Sequence, residues 1–389
     1  MKRPMKRAKV RAGVGVRARA GKAPEAPPEP PPAALGFRMP AEWEPHAATW
    51  IAWPHEERDW PGKLAPIDWV YGEFVRHVAV GERVRILVHD AAVEKRARAL
   101  LKRVGVDKKQ VDLFRAPTDR SWTRDYCPIF VTDQDGEKAG EVAITNWRFT
   151  GWAKYANHKR DDAVNDRIIR HDRRRHWEPT AAVGKRVARV VLEGGAIDVN
   201  GTGTLLATEE CLLDEKVQAR NPGLGREALE EVLAAYLGVR KVLWLGRGIA
   251  GDDTHGHVDD LARFVDETTV ALASEPDPGD ANHDPLRENA ERLGRMTTAD
   301  GRPIRVVPLP MPAPLFLDGV RLPASYANFY IGNAAVLVPT FNDPNDRRAL
   351  EILAGLFPTR KVVGIHAVDL VWGLGTLHCM TQQEPLAPR

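Results

Sequence analysis

Several features are scarce in this 389-residue sequence, and each absence narrows the class of protein. No apolar run reaches the roughly 18 residues that a membrane-spanning helix needs, and the basic N-terminus lacks the apolar stretch of a secretion signal. Only three cysteines occur, Cys127, Cys211 and Cys379, and their wide spacing fits neither a disulfide framework nor a Cys-x-x-Cys metal site. We therefore predict a cytoplasmic protein without a membrane anchor.

Charge is distributed unevenly along the chain. Residues 1–22 hold nine Lys or Arg and no acid, although the formal net charge of the whole chain is only +3. Residues 23–34 contain six prolines, which favour extended conformations and do not pack into a core. We predict a disordered, basic and Pro-rich tail over residues 1–35 and a single folded domain over 36–389. A solvated extension is favoured over a nucleic-acid-binding tail, because no aromatic side chain lies among the basic ones.

The folded part repeats one pattern: an apolar strand-like run, a helix with apolar residues three and four positions apart, and a second apolar run. A generic α/β sheet would also alternate strands and helices, but four related copies favour an α/β fold built as a closed array of modules. The four copies span residues 84–117, 204–246, 264–309 and 336–366.

Polar, turn-rich segments follow three of these modules, at residues 118–128, 246–260 and 367–379. In α/β folds such loops bring reactive groups together. Glycines let the backbone turn sharply before Cys379, whereas its neighbour His378 would face the opposite side if this stretch is a strand. A cysteine is a nucleophile only as the thiolate, so nearby positive charge must lower its pKa. Taken alone, Cys379 also fits a small buried hydrophobe.

Residues 251–260 (GDDTHGHVDD) concentrate four aspartates and two histidines. His255 and His257 alternate as metal ligands on one face of a strand would, with carboxylates nearby. In a second interpretation, His257 moves protons while Asp259, two residues later, holds a cationic substrate. A solvated acidic loop is the third, and the residues leave all three open.

Two further acids, Asp125 and Glu193, lie beside predicted strands. A buried acid is costly unless it is paired or binds a cation, and a planar guanidinium offers five N–H donors for that purpose. A structural arginine such as Arg124 or Arg263 would serve equally well, so both interpretations stay open.

Six segments together resemble the agmatine deiminase family, which includes the Porphyromonas-type peptidyl-arginine deiminases and belongs to the guanidine-modifying pentein fold. The resemblance covers about residues 37–389 and implies a five-bladed α/β propeller of pseudo-symmetric ββαβ units around a central active site. The six segments are 36–55, 122–128, 192–213, 251–265, 324–346 and 375–385.

The resemblance also implies roles for site residues. Cys379 matches the nucleophile, and His257 matches the general acid and base. Asp125 and Asp259 match the carboxylates that hold the guanidinium nitrogens, and Glu193 matches the acid that assists His257 and orients the substrate. No cofactor and no metal are implied, which weakens the metal interpretation of the two histidines.

Two features near Asp125 complete this prediction. Trp122, in the same WTRDYCP segment, is expected among the substrate-binding residues, and Cys127 replaces the glycine usual before the proline. Residues 146–167 are a candidate pocket wall or lid, with a surface excursion as the alternative.

The implied reaction converts agmatine to N-carbamoylputrescine and ammonia through a covalent amidino-cysteine, in putrescine and polyamine biosynthesis. Deimination of peptidyl-arginine or of another guanidino compound is the alternative. The expected partner is a small guanidino substrate, without a membrane or nucleic acid, and a homodimer is an open possibility. Two further hypotheses are a metallohydrolase that uses residues 251–260 and a binding protein that uses the basic tail.

Overall fold

The computed structural model describes residues 29–133 and 140–387. Most of the predicted tail, residues 1–28, lies outside this range, and the compact unit of the chain begins at Pro31. Pro32–Leu35 forms a 3₁₀ turn in which Pro32 is buried and Leu35 packs against a hydrophobic cluster. Leu35 thus has an apolar surface to pack on, and the predicted boundary between tail and folded domain at residue 35 stays a prediction.

Five sheets in the described residues share one strand order: an antiparallel pair, then a strand parallel to the second member of the pair. At least one helix connects the second and third strands in each case. Each sheet with its helices is therefore a ββαβ unit, and we number the units 1 to 5 by the position of their first strand.

The bounds of these elements follow the chain. Unit 1 has strands Ile129–Asp133, Val142–Thr145 and His176–Trp177 with helices Lys159–Asp162 and Val164–Asp172. Unit 2 has strands Asp198–Val199, Thr204–Thr208 and Lys241–Leu245 with helices Glu209–Leu213 and Arg226–Leu237. Unit 3 has strands Ala262–Phe264, Thr269–Ser274 and Arg305–Pro310 with helix His283–Leu293. Unit 4 has strands Tyr330–Ile331, Ala335–Thr340 and Lys361–His366 with helix Asn345–Leu356.

Unit 5 joins the two ends of the folded domain. Its first strand is Gln382–Pro385, which pairs antiparallel with the early strand His46–Ala52. Its third strand, Arg83–Val88, follows the helix Leu64–Val78 and pairs parallel with His46–Ala52. Because the last strand of the chain completes a sheet begun near its start, the array of units is closed.

The predicted α/β fold of related ββαβ units is confirmed, with one correction. The predicted module at residues 84–117 is not itself such a unit. Helix Ala91–Arg103 and strand Val111–Arg115 instead extend the sheet of unit 5 by one parallel strand. Unit 1 was missed because its helical connection is divided into segments of four and nine residues, too short for a clear helical period.

Smaller elements complete the architecture. Phe37–Arg38 pairs with the first strand of unit 1, and Thr123–Tyr126 forms one short helix before that strand. Two hairpins lie outside the five sheets: Thr180–Val183 with Arg186–Arg189, and Phe316–Leu317 with Val320–Arg321. None of the helices in the described residues is both long and apolar enough to cross a membrane.

Local sequence explains where the helices begin and which face they bury. Asp90 caps helix Ala91–Arg103, because its side chain accepts hydrogen bonds from the backbone N–H groups of Ala92 and Val93 at 2.8 and 2.9 Å. Such a cap contributes about 1 kcal/mol. Helix Leu64–Val78 buries apolar residues at three- and four-residue spacing, namely Ile67, Tyr71, Phe74, Val75 and Val78.

Candidate active site

The segments just before the first strands of the five units meet at one place. This common position is what a closed array of similar units produces, since equivalent segments face the same centre. In the order of the units, the segments contribute Asp125, then Glu193, then His257 with Asp259, then Asn328, and finally Cys379.

Cys379 lies at the end of a cavity of about 370 Å³ and is almost completely buried. The amide Nδ2 of Asn328 lies 3.0 Å from its Sγ, and Asp259 Oδ2 accepts from the thiol at 3.8 Å. Burial raises the pKa of the thiol well above its usual range, and Asp259 and other nearby carboxylates raise it further. The thiol is therefore protonated until a cation offsets the surrounding negative charge.

Asn328 is a site residue that the sequence analysis missed. Its Oδ1 accepts hydrogen bonds from Thr376 Oγ1 at 2.7 Å and from the backbone N–H of His378 at 3.0 Å. Its Nδ2 contacts both Cys379 Sγ and Asp260 Oδ1 at 3.0 Å. The side-chain amide of Asn328 thus holds the turn that carries Cys379 and fixes the position of its thiol. The available signal was its place in segment 324–346, one of the six that carry the family resemblance.

His257 lies between the acids of three different units. Its Nδ1 is 3.7 Å from Asp125 Oδ1 and 3.9 Å from Asp259 Oδ1, and its Nε2 is 3.9 Å from Glu193 Oε2. Burial acts to lower the pKa of the imidazole, but Asp125, Cys211 and Glu193 outweigh it and hold that pKa well above the usual range. We infer that His257 is a cation in this site and therefore a proton donor.

Asp125 is buried and has only uncharged hydrogen-bond donors. Trp152 Nε1 donates to its Oδ2 at 2.8 Å, and the backbone N–H of Gly195 donates to its Oδ1 at 3.2 Å. Burial raises the pKa of Asp125 to about 7 despite the opposing charge of His257. Residue 195 must be glycine, because a Cβ there would lie 2.6 Å from His257 Nδ1.

Glu193 is equally buried but has a built-in cation. Arg220 Nε donates to its two carboxylate oxygens at 3.2 and 3.3 Å. Burial acts to raise the pKa of Glu193, but Arg220 and His257 outweigh it and lower that pKa to about 2. The structural arginine is thus neither Arg124 nor Arg263, which the sequence had offered as partners for these acids.

Those two arginines belong to a buried network that supports Asp259. Glu42 Oε2 receives hydrogen bonds from Arg263 at 2.9 Å, and Arg124 also donates to it. His378 connects this network to Asp259, because its Nε2 is 2.7 Å from Glu42 Oε2 and its Nδ1 is 2.7 Å from Asp259 Oδ2. This residue lies in a turn and not in a strand, and its support of Asp259 was not predicted.

The two histidines of residues 251–260 do not form one ligand set. His255 Nε2 lies 3.0 Å from Asp214 Oδ2, whereas His257 faces the acids beside Cys379. Asp252 accepts from the backbone N–H groups of Gly256 and His257 and so holds the loop together. The alternating-ligand interpretation is therefore wrong.

Two buried triplets in the described residues do bring ligand-type atoms within 4.8 Å of one another. Each triplet shares residues with the site around Cys379, and Glu193 is already bound by Arg220. A metal in either position would compete with an organic cation for the same carboxylates. The triplets are Glu193, Cys211 and His257, and Asp259, Asp260 and Cys379.

Aromatic side chains wall the cavity above the thiol. The ring of Trp122 lies so close to Gly373 and Gly375 that a Cβ at either glycine would fall 2.7 or 2.9 Å from it. Trp152 and Tyr155 also line the cavity, as expected for a pocket wall in residues 146–167. Cys127, in contrast, is buried in the hydrophobic core and does not line the cavity.

The assembled group has a definite chemical character. Three carboxylates, an imidazolium and a thiol converge where little water can reach, and two of the carboxylates, Asp125 and Asp259, lack an arginine of their own. A planar organic cation with several N–H donors would complete this set and would favour the thiolate.

Comparison with known proteins gives a consistent result. The Porphyromonas-type peptidyl-arginine deiminase family matches residues 38–385. The agmatine deiminase of Pseudomonas aeruginosa strain LESB58 is 35% identical over 385 residues, which cover 93% of this chain and 99% of that protein.

Solved structures agree with this result. The agmatine deiminase of Enterococcus faecalis, described as catalysing its reaction, superposes with a TM-score of 0.82 at 32% identity and covers 92% of this chain and 98% of that one. A C. jejuni agmatine deiminase with a cysteine-to-serine change and substrate bound gives a TM-score of 0.78 at 28% identity, covering 91% and 97%.

Proposed function

Because the chain belongs to the Porphyromonas-type peptidyl-arginine deiminase family, we propose that it is an agmatine deiminase. In this proposal it hydrolyses the guanidinium of agmatine to N-carbamoylputrescine and ammonia. The observation that carries the proposal is the convergence of three buried carboxylates and His257 on the thiol of Cys379. That arrangement needs a cation, and a guanidinium supplies both the charge and the N–H donors.

In the proposed first half-reaction, Asp125 and Asp259 hold the guanidinium nitrogens and place the central carbon against Sγ of Cys379. The cation offsets the carboxylates that raise the thiol pKa, so the thiol gives its proton to solvent water and becomes a nucleophilic thiolate. The thiolate forms an S–C bond to the guanidinium carbon. His257 gives its proton to one nitrogen, which leaves as ammonia when the C–N bond breaks, and an amidino-cysteine remains.

In the second half-reaction, the now neutral His257 accepts a proton from a water molecule, whose oxygen bonds to the amidino carbon. The S–C bond then breaks, Cys379 leaves as the thiolate, and the added hydroxyl gives its proton to solvent as the ureido C=O forms. Glu193 stays ionised throughout, because Arg220 is fixed to it, and it stabilises the imidazolium form of His257. We place the reaction in putrescine and polyamine biosynthesis, and the cytoplasmic location and homodimer remain predictions.

The cavity walls support a small substrate over a protein arginine. The residues that line the cavity include the ion-paired Arg120 and Asp59, together with Asp253, which pairs with Lys154. Its volume of about 370 Å³ lies in the range of small-molecule pockets.

A substrate panel tests the proposal. Purified enzyme is given agmatine, free arginine and an arginyl peptide, with colorimetric detection of the ureido product and intact-mass detection of the adduct on Cys379. We expect turnover and an adduct with agmatine and at least tenfold lower kcat/KM with the other two. Preferred turnover of the peptide would contradict the proposed substrate, and no turnover or adduct with any compound would contradict the proposed reaction.

A further inference from the structure

A short segment of the cavity wall, residues 151–155, has an unusual backbone. We call it the strap. Trp152 and Ala153 have φ angles of +57° and +53°, in the left-handed region that residues with a Cβ seldom adopt. Two consecutive residues of this kind persist only where surrounding contacts impose the conformation, and such strain is concentrated at functional positions.

Contacts from two directions impose that conformation. Gln218 Nε2 donates to the carbonyl oxygens of Trp152 and Asp253 at 3.1 and 3.0 Å, which ties the strap to the loop of His257. From the same stretch of chain, the rings of Phe149, just before the strap, and Tyr155, within it, pack edge-on against the indole, with centroids 5.0 and 5.9 Å away. The indole therefore has a fixed position and orientation.

This orientation places one N–H group on a carboxylate of the site. Trp152 Nε1 donates to Asp125 Oδ2 at 2.8 Å, which leaves Oδ1 toward His257 Nδ1, 3.7 Å away. The indole is neutral, so it stabilises the ionised carboxylate without neutralising it. An arginine in its place would compete with a cationic substrate, as Arg220 would do at Glu193.

We propose that Trp152 is a positioning residue for the reaction: its indole N–H orients Asp125 and keeps it ionised so that the carboxylate can receive the guanidinium. The proposal rests on the proposed function, since it assigns Asp125 to substrate binding. In this proposal, the strained backbone of the strap holds the indole where its N–H can donate to Asp125.

The test is the variant Trp152→Phe, which keeps an aromatic ring and removes the N–H. We expect kcat/KM for agmatine at pH 7 to fall about 10- to 100-fold, the range of one hydrogen bond to a charged group. KM should rise more than kcat falls, because saturating substrate restores ionisation of Asp125. The acidic limb of the kcat/KM profile should move up by about one pH unit.

A matched control is available in the same stretch of chain. Trp147 is also buried and donates its Nε1 hydrogen to Thr145 Oγ1 at 2.9 Å, away from the cavity. Trp147→Phe should lower the unfolding temperature but leave the acidic limb in place. If both variants show only an equal loss of active protein with unchanged limbs, Trp152 has a merely structural role and the proposal fails.

Two measures keep the test decisive. If Trp152→Phe does not fold, benzothienylalanine at position 152 replaces only the N–H by sulfur and preserves the shape of the ring. The carboxyl ¹³C resonance of Asp125, assigned by its loss in Asp125→Asn, reports ionisation without any substrate. Its midpoint should rise in either variant, and an unchanged midpoint overturns the proposal. Failure of wild-type turnover would contradict the proposed function only, because this titration does not depend on activity.

Discussion

Asp125 and Glu193 lie on opposite sides of His257 and are both buried, yet their pKa values differ widely. Burial raises both, but Arg220 brings the pKa of Glu193 down to about 2, whereas Asp125 has only neutral donors and a pKa of about 7. A fixed arginine thus holds Glu193 in its charged form, whereas Asp125 has no arginine and the charge of His257 only partly offsets its burial. The comparison teaches that a built-in arginine, more than the depth of burial, separates the pKa values of the two acids.

The largest expected effect concerns the thiol that both acids serve. Cys379→Ala should lower kcat for agmatine by about 10⁴-fold or more, because loss of a nucleophile removes the covalent route. Cys127→Gly should retain activity, since Cys127 lies in the core and not in the cavity. Steady-state kinetics of the two variants measure this, and the reverse result would transfer the nucleophile to Cys127.

The next prediction removes Arg220, the cation that distinguishes Glu193 from Asp125. Arg220→Met should lower the free energy of unfolding by about 3–5 kcal/mol at pH 7, because it leaves Glu193 buried and without its arginine. A carboxylate whose pKa is lowered by folding stabilises the folded state at pH values above its unfolded pKa, which is near 4.5. That stabilisation is lost as the pH falls toward the folded-state pKa of about 2. The destabilisation should therefore be smaller at pH 4 than at pH 7.

Urea unfolding at both pH values measures this difference. Arg347→Met is the matched control, because Arg347 pairs with Glu351 on an exposed helix face. An exposed pair of this kind contributes little to stability, because water screens the two charges. Equal effects of the two substitutions would show that Arg220 does not provide the stabilising charge.

The smallest expected effect sharpens the comparison at Asp125. Its raised pKa means that the folded state favours the protonated acid, so stability falls as pH rises from about 4 through about 7. Asp125→Asn removes this cost and should raise the free energy of unfolding at pH 8, by less than the cost itself because the attraction to His257 is lost as well. Glu193→Gln should lower it, since Arg220 loses its partner. Denaturant curves at pH 8 measure both, and the same sign for both variants would contradict the comparison.

Sequence pattern predicted much of the fold, for reasons that particular units show. Three elements of unit 4 were found because each carries its own period of apolar residues. They are strand Ala335–Thr340, helix Asn345–Leu356 and strand Lys361–His366. Unit 5 was misassigned because its first strand, Gln382–Pro385, is almost entirely polar by sequence yet buried, and its partner lies more than 330 residues earlier. A pairing so distant in sequence leaves no local signal.

The site residues also fall into two groups, those identified from the sequence and those recognised only in the structure. Residue types and the family resemblance identified Cys379, His257, Asp125 and Asp259 as candidates, and the structure brings them together. Asn328 and His378 were not assigned roles. An asparagine does not signal a role by its type, and His378 was expected to face away from the site on the assumption of a strand. Each acts through the neighbour that it holds.

The sequence by itself determined the repeated α/β units, the family and the set of reactive side chains, because these depend on local periodicity and on residue identity. Only the tertiary structure decided which acid would have a cation. Glu193 and Asp125 look alike in sequence, each a carboxylate beside a predicted strand. They differ because Arg220 reaches Glu193 and Trp152 reaches Asp125. Those are long-range contacts through a buried interior, where a single charge decides the protonation state.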